Sequence, residues 1–129
     1  MSVMVEVSWG ELIDKVTILQ IKLARIGDPA KLANVRKELE ALAGARAQAI
    51  AQAPRIVELE AELRAVNEVL WDNEDKLRDF ERAKDYGPGF VACARAAYRT
   101  NDRRSVVKRV ISELLGSALV EEKSYAKYE

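Results

Sequence analysis

The chain contains no histidine and a single cysteine, Cys93. An intrachain disulfide, a Cys–His nucleophile pair and a Ser–His–Asp set are therefore excluded, and a structural zinc site lacks its soft ligands. Glycine and proline are scarce, six and three in 129 residues, and aromatics make up only 6%. Such a composition argues against loop-rich all-β folds, collagen-like repeats and disorder. No apolar run approaches the roughly 18 residues that a membrane span needs, and glycine-rich phosphate loops and helix-borne zinc motifs are missing. Neither a metal site nor a cofactor is expected. The opening MSVMVEVSWGEL has neither the basic nor the continuous apolar region of a secretion signal, so a cytoplasmic protein is expected.

Net charge is absent as well: Lys plus Arg and Asp plus Glu both total 21. The chain thus lacks the electrostatic footprint of a general nucleic-acid binder, and neither nucleic acid nor membrane is an expected partner. The zero hides an asymmetry. Residues 58–81 hold nine carboxylates against three bases, whereas residues 95–109 hold six bases against Asp102 alone. Two such segments either pair with each other or serve partners.

What is present is 49% hydrophobic and 33% charged sequence, the composition of amphipathic helices in one domain over residues 1–129. Val3, Val5 and Val7 alternate with Met4 and Glu6, which predicts a short strand that Ser8 ends. Ser8-Trp9-Gly10-Glu11 has the form of a capping box, so a first helix runs from Trp9 to about Ile26. Leu12, Val16, Leu19, Leu23 and Ile26 form its core stripe, while Asp14, Ile18, Ile21 and Arg25 form a second one opposite. This helix is either central in the fold or part of a subunit interface.

Asp28-Pro29 opens a second helix, with Leu32, Val35, Leu39 and Leu42 fading into AGARAQAIAQA. Beyond Pro54 a third helix keeps a heptad register through Ile56, Leu59, Leu63, Val66, Leu70, Asn73, Leu77 and Phe80. The short link pairs helices two and three as a hairpin. Asp85-Tyr86-Gly87-Pro88-Gly89 reads as a loop, Phe90–Tyr98 and Asp102–Leu115 as two shorter helices, and 118–120 as a strand able to pair with 3–7. The expected fold is all-α: a long, coiled-coil-like antiparallel hairpin, an N-terminal helix, two shorter C-terminal helices and a small terminal β-ribbon.

Several constellations could carry chemistry. Glu68, Asp72, Asp75 and Asp79 line one helix face, and with Glu11 and Asp14 they could hold a hard cation; interleaved Arg64, Lys76, Arg78 and Arg82 favour a solvated charged face instead. Arg103 and Arg104 fall in the first turn of the expected fifth helix, with Lys108 one turn on, where the helix dipole disfavours positive charge. Either a bound anion or the acids of helix three would offset them. Trp9, Trp71 and Tyr98 would form a ligand or partner site if they shared a cleft with Arg99 and Arg103. Asp14 and Glu74 are the candidate acid and base. Asn73 on the apolar seam is either a register-setting amide or a wet local bend, and Cys93 reads as a small buried apolar residue.

At SWGELIDKVTILQIKL (8–23), LWDNED (70–75), YRTNDRRSVVKRVISELLGS (98–117) and EEKSY (121–125), the chain resembles a family of small uncharacterised bacterial helical proteins. The resemblance spans nearly the whole chain and implies a shared architecture. Family members look like companions of glycan-assembly and glycosyltransferase genes, which implies surface-polysaccharide work. It also draws attention to Trp9, Asp14, Lys15, Trp71, Glu74 and 98–104 as positions that could form one site. ELIDK is similar to the first helix of helical chorismate mutases, but the arginines that flank that motif are absent here.

Together these features favour a non-enzymatic, homo-oligomeric protein-interaction module. Ile18, Ile21 and the helix-three seam would form its interface, and Arg99, Arg103, Arg104 and Lys108 would recruit an acidic protein segment. The alternative is a small-molecule binder or enzyme for an anionic, phosphorylated or carboxylated substrate. There Arg103 and Arg104 clamp the anion, Trp9 or Trp71 stacks, and Asp14 or Glu74 moves the proton.

Overall fold

The computed structural model describes residues 1–128 and contains four helices: α1 (Trp9–Arg25), α2 (Pro29–Gln52), α3 (Ile56–Ala83) and α4 (Pro88–Leu114). The all-α class is as the composition dictates. Among the described residues there is no strand, and 3–7 and 118–120 do not pair. The expected terminal β-ribbon is therefore absent. Two short segments with no sheet beside them cannot repay the entropy of ordering.

Local chemistry sets the helix ends. Ser8 Oγ accepts from the Glu11 amide at 3.2 Å, but the Glu11 side chain does not complete a capping box, because it accepts from Lys108 Nζ instead (2.8 Å). Asp28 caps α2 by accepting from the Ala30 amide (2.9 Å), with Pro29 first in the helix. α3 ends with Lys84 in the left-handed region, φ 54. The Asp85 amide then donates back to the Phe80 carbonyl at 2.9 Å, a Schellman-type closure. Asp85 Oδ1 accepts from the Gly87 amide (3.0 Å) and delivers the chain to Pro88.

The long hairpin exists, but α4 is the partner of α3. α2 touches α3 only slightly, and its extended packing is on α1, as the Lys15–Glu38 pair shows. Its alanine-rich half lacks apolar volume, so α2 buries only Val35 and Ala49. The two short C-terminal helices are one continuous α4. Thr100, Asn101 and Asp102 are poor helix formers, yet each costs well under about 1 kcal/mol, and neither glycine nor proline interrupts them. Packing along α3 outweighs that cost. Arg103 and Arg104 therefore lie in mid-helix, where no terminal dipole acts on them.

α1 is the central helix, in contact with all three others. This explains its two apolar stripes: Leu12, Val16 and Leu19 are buried, and so is Ile21, at 2% exposure. The main core takes a share from every helix, with Ile13, Ala49, Ile56, Leu59, Leu63, Val107 and Ile111 packed together. No helix is long and apolar enough to cross a membrane.

Candidate functional site

The N-terminal turn of α1 docks against the far end of α4. Three consecutive α1 amides find serine acceptors there or next door: Trp9 donates to Ser117 Oγ and Gly10 to Ser112 Oγ, both at 2.9 Å, and Glu11 to Ser8 Oγ. These are donors that a helix start leaves unsatisfied. Gly10 allows the approach, since a Cβ there would stand 2.2 Å from the Lys108 carbonyl oxygen. The SWGE and ISELLGS sequences are thus two halves of one helix-docking joint.

One turn further along, Lys108 Nζ lies between Glu11 (2.8 Å) and Glu121 (2.7 Å). Burial alone would depress its pKa, but the two carboxylates outweigh this and hold it above the usual lysine range. Glu121, bonded to Lys108 and Lys123, is pulled down to about 2.

Next comes a buried polar cluster. Asp14, with its side chain 2% exposed, receives a two-pronged fork from Arg104: Nε to Oδ1 at 2.9 Å and Nη2 to Oδ2 at 2.5 Å. Asn67 Nδ2 on α3 donates both to Asp14 Oδ1 and to Thr17 Oγ1, each at 2.9 Å. Thr17 Oγ1 in turn donates to the Asp14 carbonyl at 2.7 Å. Three helices are stitched at one point, and the three bonds to the Asp14 carboxylate have a charged acceptor, the strong kind. The hydrogen bond to Asp14 holds the Arg104 guanidinium above even its ordinary pKa.

Arg104 and Asn67 also border an open groove of about 420 Å³, lined by Ile18, Ile21, Leu70, Trp71, Glu74 and Asp75. The structure thus brings Arg104, Trp71 and Glu74 to one place. The other residues proposed for a shared cleft stand apart from it. Trp9 packs at the edge of the core with Ile50, Ala53, Val110 and Leu115. Tyr98 meets the Tyr128 ring edge-on at 5.1 Å and lines a separate groove, with Asn101, Asp102 and Tyr125, under the C-terminal segment. Arg99 lies over the same Tyr128 ring.

The charges are largely spoken for. Arg103 pairs with Glu62 on α3, Glu74 with Arg78 (2.7 Å) and Asp72 with Arg25 (2.5 Å). Asp14 is a buried acceptor whose carboxylate takes three side-chain hydrogen bonds, two from Arg104 and one from Asn67. Among the described residues no group of three or more Cys, Asp or Glu side chains is placed to hold a metal ion. Asn73 is 8% exposed and its Nδ2 is buried with no hydrogen-bond partner. Cys93 is half-buried.

Asn67 and Thr17 escaped the sequence reading. The signal was a second α3 stripe, Glu60, Leu63, Asn67, Leu70 and Glu74, which shares Leu63 and Leu70 with the heptad seam; Glu60, Leu63 and Asn67 are all buried. No curated protein and no solved structure matches the chain. Residues 3–128 match the sequence pattern of DUF6165, a family of unknown function, and the chain belongs to that family.

Proposed function

We propose that this protein works by association and not by catalysis, as a homo-oligomeric interaction module in the glycan or surface-polysaccharide setting that its family resemblance implies. The observation that carries this reading is the segment ahead of α1. Met1, Val3, Met4, Val5 and Val7 are all exposed, from 48% for Val7 upward, and among the described residues no backbone group of 1–7 forms a hydrogen bond. An alternating valine segment with unpaired backbone is a template for pairing with another chain, and a second copy offers the same template in antiparallel register. The interface thereby moves from Ile21, which the fold buries, and Ile18, which borders the groove between α1 and α3, to the N-terminal segment.

The anion-binding enzyme has less support, because the guanidinium forks of Arg103 and Arg104 already hold carboxylates. Light scattering across a dilution series tests the association reading, with wild type beside a Val5→Glu, Val7→Glu variant. Wild type should exceed the 14.4 kDa of one chain, and the variant should fall to it with helicity intact. A wild type that stays monomeric at high micromolar concentration overturns the reading.

A further inference from the structure

The groove beside Trp71 has a composition that the fold does not use up. Arg104 borders it, but both carboxylate oxygens of Asp14 occupy its fork, so little of its charge remains for a visitor. Asp75, on the rim, makes no ion pair or hydrogen bond among the described residues, whereas the nearby acids Glu68, Asp72 and Glu74 are paired with Arg64, Arg25 and Arg78. The rim is therefore net acidic.

Asn67 adds a second, independent feature. It is 6% exposed and borders the groove. Asp14 accepts only from a donor, so the amide must turn Nδ2 toward it. Asn67 Oδ1 is left accepting nothing, and it is not among the fully enclosed orphan atoms. Among the described residues the Trp71 indole N–H likewise donates to nothing, and its ring is half-buried beside Ile18, Ile21 and Leu70. A fixed carbonyl acceptor, an unpaired carboxylate and an indole face lie together over an apolar floor.

That set suits a donor-rich cation attached to an apolar body. We propose that this groove is a docking site for a basic peptide segment of a partner protein, taking an arginine side chain flanked by apolar residues. The guanidinium donates to Asn67 Oδ1 and Asp75 and covers the Trp71 face, while the flanking side chain rests on Ile18 and Leu70. The charge sign is opposite to that expected from Arg103 and Arg104 in sequence, because the fold neutralises both arginines. The site is independent of the N-terminal segment, so its test and the oligomerisation test fail separately.

The probe is an acetylated, amidated leucine–arginine–leucine peptide, titrated into nitrogen-15-labelled protein. The Trp71 indole N–H serves as reporter and Trp9, which packs elsewhere, as internal reference. The arginine peptide should shift the Trp71 signal saturably and leave Trp9 still. Asp75→Asn, an exposed change with no bond to lose, should weaken binding on the order of three- to fivefold, and added salt should weaken it as well. No saturable shift, equal binding by a leucine–glutamate–leucine peptide, or an Asp75→Asn protein that binds as well as wild type would each overturn the proposal. Arginine amide binding as tightly as the tripeptide would overturn the peptide as occupant and assign the groove to a small cation.

Discussion

Gly10 and Lys108 meet backbone to backbone: a Cβ on residue 10 would stand 2.2 Å from the Lys108 carbonyl oxygen and 2.8 Å from Ser112 Oγ. The contact cannot relax by turning a side chain, since the nearest atoms are main chain. Gly10→Ala should therefore cost about 1–3 kcal/mol despite alanine's better helix propensity. Gly44 in α2 is the natural control, as a Cβ there meets nothing within 4 Å. Gly44→Ala should raise stability by about 0.5–1 kcal/mol. Urea unfolding of the two variants should move in opposite directions.

Asp14 and Arg104 should be unequal to their neighbours when cut. Arg104→Met leaves the Asp14 carboxylate, 2% exposed, with only the Asn67 amide, and should cost about 3–5 kcal/mol. An Asp14→Leu, Arg104→Met double variant removes both charges and should lose much less. Chemical denaturation of the two single variants and the double completes the cycle; additive losses would show that the pair is not coupled.

Acid should release the C-terminal segment before it attacks the core. Glu121 is depressed to about 2 by the Lys108 and Lys123 ammonium groups. A folded pKa below the unfolded one means that the contribution is complete above about 4.5 and disappears as pH falls toward about 2. Lys108, raised by Glu11 and Glu121 despite its burial, has the opposite sign: its contribution holds below 10.5 and is lost as pH rises through the raised value. Carbon-13 NMR of the Glu121 carboxyl should show the low midpoint, and Lys108→Met should move it upward.

Asn73 is a polar group buried at a cost. Its Nδ2 has no partner, an arrangement worth about 1–3 kcal/mol of lost stability. Asn73→Leu should raise the thermal midpoint, and solution mass should not change, because oligomerisation is assigned to 1–7. A change in mass would instead make Asn73 a determinant of assembly.

The helix ends with a local capping or turn signal were legible in the chain, whereas the break expected between 98 and 102, which had none, does not exist. Ser8, Asp28-Pro29 and the Asp85–Pro88 turn each act within a few residues, and each does what its side chains allow. The buried stripes of α1 and α3 were legible too, since periodicity is a property of the chain alone. Where a stripe goes is not. Ile18 and Ile21 read equally as core or interface, yet packing buries Ile21 and leaves Ile18 half-buried on a groove, and 3–7 read as a strand although nothing among the described residues pairs with it. The charged site shows the same division most sharply. Composition established that acids and bases balance, but an arginine pairs with whichever of 21 acidic side chains the packing carries within hydrogen-bond reach. Arg103 and Arg104 are neighbours in sequence, yet their side chains point about 100° apart around α4, one toward Glu62 on α3 and the other toward Asp14 on α1. Helix packing decided that difference, placing Arg104 in a buried polar cluster and Arg103 in an exposed ion pair.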